Sequence, residues 1–74
     1  AAVIELGAGF HPELTGVENV ALYGAIMGLT SRQLAERFDA IVAFADIGDF
    51  VKMPVKYYSS GMQARLAFAV AVCV

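Results

Sequence analysis

The residues best placed to do chemistry are Tyr57-Tyr58-Ser59-Ser60-Gly61-Met62-Gln63-Ala64-Arg65, where a basic loop meets the start of an apolar helix. Two adjacent serines can cap the free amides of a first helical turn, and Gly61 lets another molecule come close to the main chain. Unpaired amides at a helix start attract anions, so the stretch reads as a phosphate-contacting corner. Arg65, four residues beyond Gly61, falls on the same helical face and adds a fixed positive charge. An ordinary N-cap after a loop is the simpler account of the same residues, because short motifs have many chance matches.

Charge is distributed in a way that favours the first account. Residues 50–74 carry Lys52, Lys56 and Arg65 and no acid, whereas all seven acidic residues lie between Glu5 and Asp49 with only Arg32 and Arg37 for company. A local +3 on a chain of net −2 suits an anionic ligand at that one place, with a solvated basic face as the alternative. The net charge gives no argument for nucleic-acid binding.

A chain of 74 residues has room for one small domain at most. Its residues are 59% apolar and 16% charged, against about a quarter charged in ordinary soluble domains. So much apolar surface needs covering, and the sequence is expected to be either a membrane segment or a piece of something larger. The runs Val20 to Leu29 and Leu66 to Val74 both fall short of the roughly 20 residues a spanning helix needs, which excludes the first. No basic region precedes an apolar stretch at the start, so no signal peptide is read there. Cys73, the single cysteine, sits in an apolar run as a small buried hydrophobe, which fits a reducing, cytoplasmic setting.

The elements that position the corner follow in order. Ala1 to Leu6 reads as the end of a buried strand, and Gly7 to Pro12 as a loop. The glycine pair Gly7 and Gly9 is not a dinucleotide turn, because Pro12 stands where a third glycine belongs. His11, the only histidine, has no partner at ligand spacing and is read as structural.

Thr15 and Glu18 have capping-box spacing and open a helix over about residues 16–28. That helix is apolar almost all round, so one face is assigned to the core and the other to a partner protein. Gly24 and Gly28 are expected to admit a neighbouring backbone. Thr30 and Gln33 form a second capping box, opening a helix over about 31–45. Its apolar stripe is Leu34, Phe38, Ile41, Val42 and Ala45, with Arg32, Glu36, Arg37 and Asp39 towards water. Gly48 is available for its left-handed C-cap. Met53-Pro54-Val55 is extended, and residues 63–74 form a buried helix. The fold expected from these elements is mainly α.

Two stretches carry a family resemblance. Tyr58-Ser59-Ser60-Gly61-Met62, with Arg65 and then Leu-Ala-Phe-Ala-Val-Ala, resembles the signature motif of ATP-binding-cassette (ABC) ATPases, Leu-Ser-Gly-Gly-Gln followed three residues on by arginine. Upstream, Leu6 to Asn19 resembles the segment after that family's Q-loop. The wording is most similar to the subunits that export lipid-linked O-antigen polysaccharide or teichoic acid, and the resemblance covers nearly the whole chain.

The resemblance implies a fragment of an α/β P-loop NTPase, chiefly the helical subdomain of a nucleotide-binding domain. Residues 1–15 would be the strand end and Q-loop-like segment, 16–56 the helical subdomain, and 57–74 the signature motif and its helix. In the family, two such domains close head to tail around two ATP molecules with Mg²⁺. On that carry-over Ser59 supplies a hydroxyl, and Ser60 and Gly61 supply amides, to the γ-phosphate held by the second copy, with Met62 in the same contact and Arg65 in support.

The family also implies a membrane permease subunit. Its coupling helix would dock on the first helix and the loop of residues 9–14, at the cytoplasmic face of a bacterial inner membrane. Ser60 replaces the usual first glycine, Met62 the usual glutamine, and Glu5 or Leu6 stands in the Q-loop region, where a metal contact from Glu5 would fall, in place of glutamine. The 74 residues contain no phosphate loop, acidic Walker B strand or switch histidine, so no complete catalytic site is expected in them. The alternative from another class is a non-catalytic helical module that binds a membrane-protein partner. A hydrolase using Ser59 or Ser60 as nucleophile lacks a plausible triad.

Overall fold

The structure is a computed structural model, and it describes residues 10–73. Three helices account for most of them: α1 (Gly16–Ile26), α2 (Ser31–Ala45) and α3 (Ser60–Cys73). Between α2 and α3 the chain makes two short 3₁₀ turns, Gly48–Lys52 and Val55–Tyr57. Among the described residues the only β-type pairing is an isolated bridge between Thr15 and Pro54. The strand end expected over Ala1 to Leu6, and Glu5 with it, lies outside the described residues.

Both capping boxes form. The Thr15 hydroxyl accepts from the Glu18 amide at 3.1 Å and the Glu18 carboxylate accepts from the Thr15 amide at 3.0 Å. Thr30 and Gln33 repeat the arrangement at 3.1 and 2.9 Å. Each box satisfies two amides that a helix start leaves without partners.

The C-termini differ from expectation. α1 stops at Ile26, and Gly28 is left-handed at φ +88, with the Leu29 amide bonded to the Gly24 carbonyl and the Gly28 amide to that of Ala25. This is a Schellman motif, so Gly28 serves backbone geometry and not a neighbour's approach. Gly24 does receive a neighbour, but it is a side chain: a Cβ there would stand 2.9 Å from Leu34 Cδ1. α2 ends on Asp46 in the left-handed region, φ 52 and ψ 49, two residues before the glycine expected to cap it. Aspartate tolerates that region better than most residues, and Gly48, also left-handed, starts the next turn.

The core lies chiefly between α2 and α3, where Ile41, Ala45, Leu66, Ala69 and Val70 are fully buried, with Val20 of α1 beside them. Burying each of the larger aliphatic side chains contributes roughly 1.5–3 kcal/mol. Phe44 and Phe68 meet across the same pair of helices, ring centroids 5.7 Å apart, yet both are about half exposed. The helix expected to be buried is thus covered on one side only. The stripe read on α2 faces inward, with Ile41 and Ala45 buried and Leu34, Phe38 and Val42 packed at the margin.

α1 buries Gly16, Asn19, Val20, Tyr23 and Gly24 and leaves Ile26 and Met27 exposed, the two-faced outcome its sequence suggested. Asn19 is the core's buried polar residue. Its carbonyl oxygen accepts from the His11 amide at 2.8 Å, and its amide group donates to the carbonyls of His11, Leu14 and Thr15 at 3.0–3.2 Å. The loop so held bonds in turn to the segment before α3, Val55 N to Leu14 O at 2.9 Å and Lys56 N to Pro12 O at 3.0 Å.

Replacing Asn19 by alanine leaves the His11 amide and Leu14 carbonyl without that partner. The expected cost is about 2–3 kcal/mol, read as a lower melting temperature and faster amide exchange at His11. Unchanged exchange at His11 would contradict this role for Asn19.

Candidate functional site

Ser59, Ser60 and Gly61 come together, all exposed, at the first turn of α3. Met53 and Pro54 are extended, as read from the sequence, but Val55 is not: it opens the 3₁₀ turn Val55–Tyr57, which brings the chain round to Tyr58, where φ −81 and ψ 143 carry it into the helix. α3 opens at Ser60, three residues before the start assigned from sequence. Ser59 is therefore the N-cap. Its Oγ accepts from the Met62 amide at 3.1 Å, and its carbonyl accepts the first helical bond, from Gln63, at 3.0 Å.

That leaves Ser60 and Gly61 as first-turn residues whose amides have no carbonyl one turn back within the helix. The Ser59 hydroxyl accepts through oxygen, so its own hydrogen remains available to an outside acceptor. Around Gly61 the only atom near an added Cβ would be Ser59 Oγ at 3.8 Å, so the approach to the main chain is open.

The other residues singled out in the sequence behave differently. Met62 turns its side chain against the core, so only its main chain lies at the corner, and its amide is already engaged by Ser59. Arg65 reaches back to α2, with Nη1 3.5 Å from the carbonyl oxygen of Asp46, the residue that caps that helix. Lys56 pairs with Glu13 at 3.4 Å and lies 5.4 Å from the Tyr57 ring centre, so the basic segment is partly neutralised by the loop it packs on. Lys52 is exposed. His11 is exposed and acts through its main chain, as the anchor of Asn19.

Sequence reading missed Asn19 and Tyr58. An asparagine inside an apolar helical run was the available signal for the first. Tyr58 is 6% exposed; its hydroxyl donates to the Phe50 carbonyl at 2.6 Å and packs against Gly16. Burial raises its ionisation above the ordinary 10.0, with the Gly16 amide pulling the other way. Burial also raises that of Tyr23.

Among the described residues no three or more histidines, cysteines or carboxylates gather where they could hold a metal, and no helix is long and apolar enough to cross a membrane.

No family model matches the chain. It is 53% identical over 70 residues to "ABC transporter protein AbcA" of Aeromonas salmonicida, covering 95% of the chain and 23% of that relative. It is 50% identical over 74 residues to "O-antigen export system ATP-binding protein RfbB" of Myxococcus xanthus, covering all of the chain and 17% of the relative. "Teichoic acids export ATP-binding protein TagH" of Bacillus cereus is 50% identical over 72 residues, 97% of the chain and 13% of the relative. The chain thus spans less than a quarter of the length of these curated relatives.

Two outcomes are expected at this corner. Ser59→Ala should loosen the first turn of α3 by about 1 kcal/mol and speed exchange of the Met62 amide, whereas Ser59→Asp should retain the cap. The folded state holds Tyr58 and Tyr23 protonated beyond pH 10.0, so their contribution is fully present below that pH and is lost as pH rises through the folded values. Alkaline denaturation followed by circular dichroism should therefore begin above pH 10 and be shallower in Tyr58→Phe.

Proposed function

We propose, for a chain that belongs to the ATP-binding proteins of ABC transporters, that it supplies the signature corner of an exporter's ATP-hydrolysing subunit. The observation that carries the reading is the open first turn of α3, where among the described residues the amides of Ser60 and Gly61 have no partner within the helix and the Ser59 hydroxyl keeps its hydrogen available. In the intact protein these donors bind and orient the γ-phosphate of ATP held by a second copy of the subunit. Donors fixed before reaction stabilise charge on the transferring group without reorganising at that moment. ATP supplies the phosphoryl group. Mg²⁺ belongs with it in the intact dimer.

The whole subunit, on this reading, is an α/β P-loop NTPase in which residues 16–56 belong to the helical subdomain. The exposed face of α1 at Ile26 and Met27, with the loop ahead of Thr15, receives the coupling helix of a membrane permease. The cargo is lipid-linked polysaccharide or teichoic acid, because the relatives are named for O-antigen and teichoic acid export. The subunit then sits peripherally at the cytoplasmic face of a bacterial inner membrane. The same exposed apolar residues are what a purely docking module would present, and the two readings part at the signature.

The 74-residue chain alone should show no ATP turnover. In the full-length subunit Ser59→Arg or Gly61→Asp should lower turnover about a hundredfold or more while ATP binding persists, as for removal of donors to a transition-state charge. Full turnover in either variant would refute the assignment of the signature and favour a docking module.

A further inference from the structure

Tyr58 stands between the two surfaces that the exporter reading uses, and its hydroxyl touches both sides of the junction. It directly precedes Ser59, and the hydroxyl bonds to the Phe50 carbonyl at 2.6 Å and packs against Gly16, the first residue of α1. Its ring meets the edge of Phe50, centroids 6.3 Å apart and planes at 90°. Gly16 has no room for a side chain: a Cβ would fall on the Tyr58 hydroxyl and lie 3.1 Å from the Val51 carbonyl oxygen. The start of α1 is therefore seated on the tyrosine. Thr15, one residue earlier, bridges to Pro54, and the preceding loop is held by Asn19.

We infer that Tyr58 is a positioning residue: the start of α1 packs on its hydroxyl, which Phe50 holds in place, so that a load on α1 and its loop reaches the Ser59–Gly61 corner. The main chain of residues 54–57 makes a second connection, but it turns through 3₁₀ geometry with few internal bonds. The tyrosine is the direct side-chain route from the α1 start to the residue beside the N-cap. This role rests on the exporter reading and adds a residue to it.

The test uses the full-length ATPase subunit, alone and reconstituted with its permease subunit in phosphatidylethanolamine–phosphatidylglycerol vesicles, and reads the ratio of the two ATP turnover rates. A loss of folded protein lowers both rates alike and leaves the ratio unchanged. Tyr58→Phe, which keeps the ring and removes one buried hydrogen-bonding group, is expected to lower the ratio about threefold to tenfold with the KM for ATP unaltered. Gly16→Ala, which displaces the hydroxyl, should act in the same direction, and the double variant should fall no further than the worse single one.

An unchanged ratio in Tyr58→Phe, or strictly additive effects of the two substitutions, overturns the inference. A wild-type ATPase that its permease does not stimulate at all overturns the exporter reading beneath it, which separates the two failures.

Discussion

Buried main-chain polar groups must be paired, and in this chain the segments around the site have almost no regular structure to pair them. Residues 10–15 and 46–59 contain no strand ladder, only short 3₁₀ turns and one bridge. Two side chains take over that task. Asn19 uses both ends of its carboxamide to close the first loop, and Tyr58 uses its hydroxyl to close the second segment on the Phe50 carbonyl, with the start of α1 packed against it. No buried side-chain polar atom is left unpaired among the described residues, so the irregular segments carry no unmet hydrogen-bonding cost in their side chains.

The helices themselves depend on the contact between α2 and α3. Leu66, Ala69 and Val70 on one helix and Ile41 and Ala45 on the other are withdrawn from water, and the N-cap at Ser59 aims the first turn of α3 outward from that contact. Arg65 adds a cation near the last carbonyls of α2, where the helix dipole is negative. The corner thus projects from the end of the most extensively packed pair of helices, and its geometry is set by apolar packing several residues away.

What was legible in the sequence follows from how local each signal is. Thr15 with Glu18, and Thr30 with Gln33, act over three residues, and both helix starts were read correctly from spacing alone. The α2 stripe repeats with the helical period and was equally plain. Asn19 bonds eight residues back and Tyr58 eight residues back to Phe50, across loops whose path no local pattern encodes. The end of α2 was misplaced because glycine is the usual left-handed residue, whereas here an aspartate adopts that conformation first and the glycine serves the following turn. The grouping of Ser59, Ser60 and Gly61 was legible, but the inward turn of Met62 and the reach of Arg65 to another helix required the packing to be known.

The double duty of Ser59 restricts what could stand in its place. Its oxygen fastens the helix from within while its hydrogen stays free to point outward, so one atom pair serves architecture and recognition together. An aspartate would fasten the turn equally well and repel any anion that came near, and an alanine would do neither. Substitutions here can therefore preserve the scaffold and invert the polarity it displays, and only a short uncharged side chain that both accepts and donates keeps the two together.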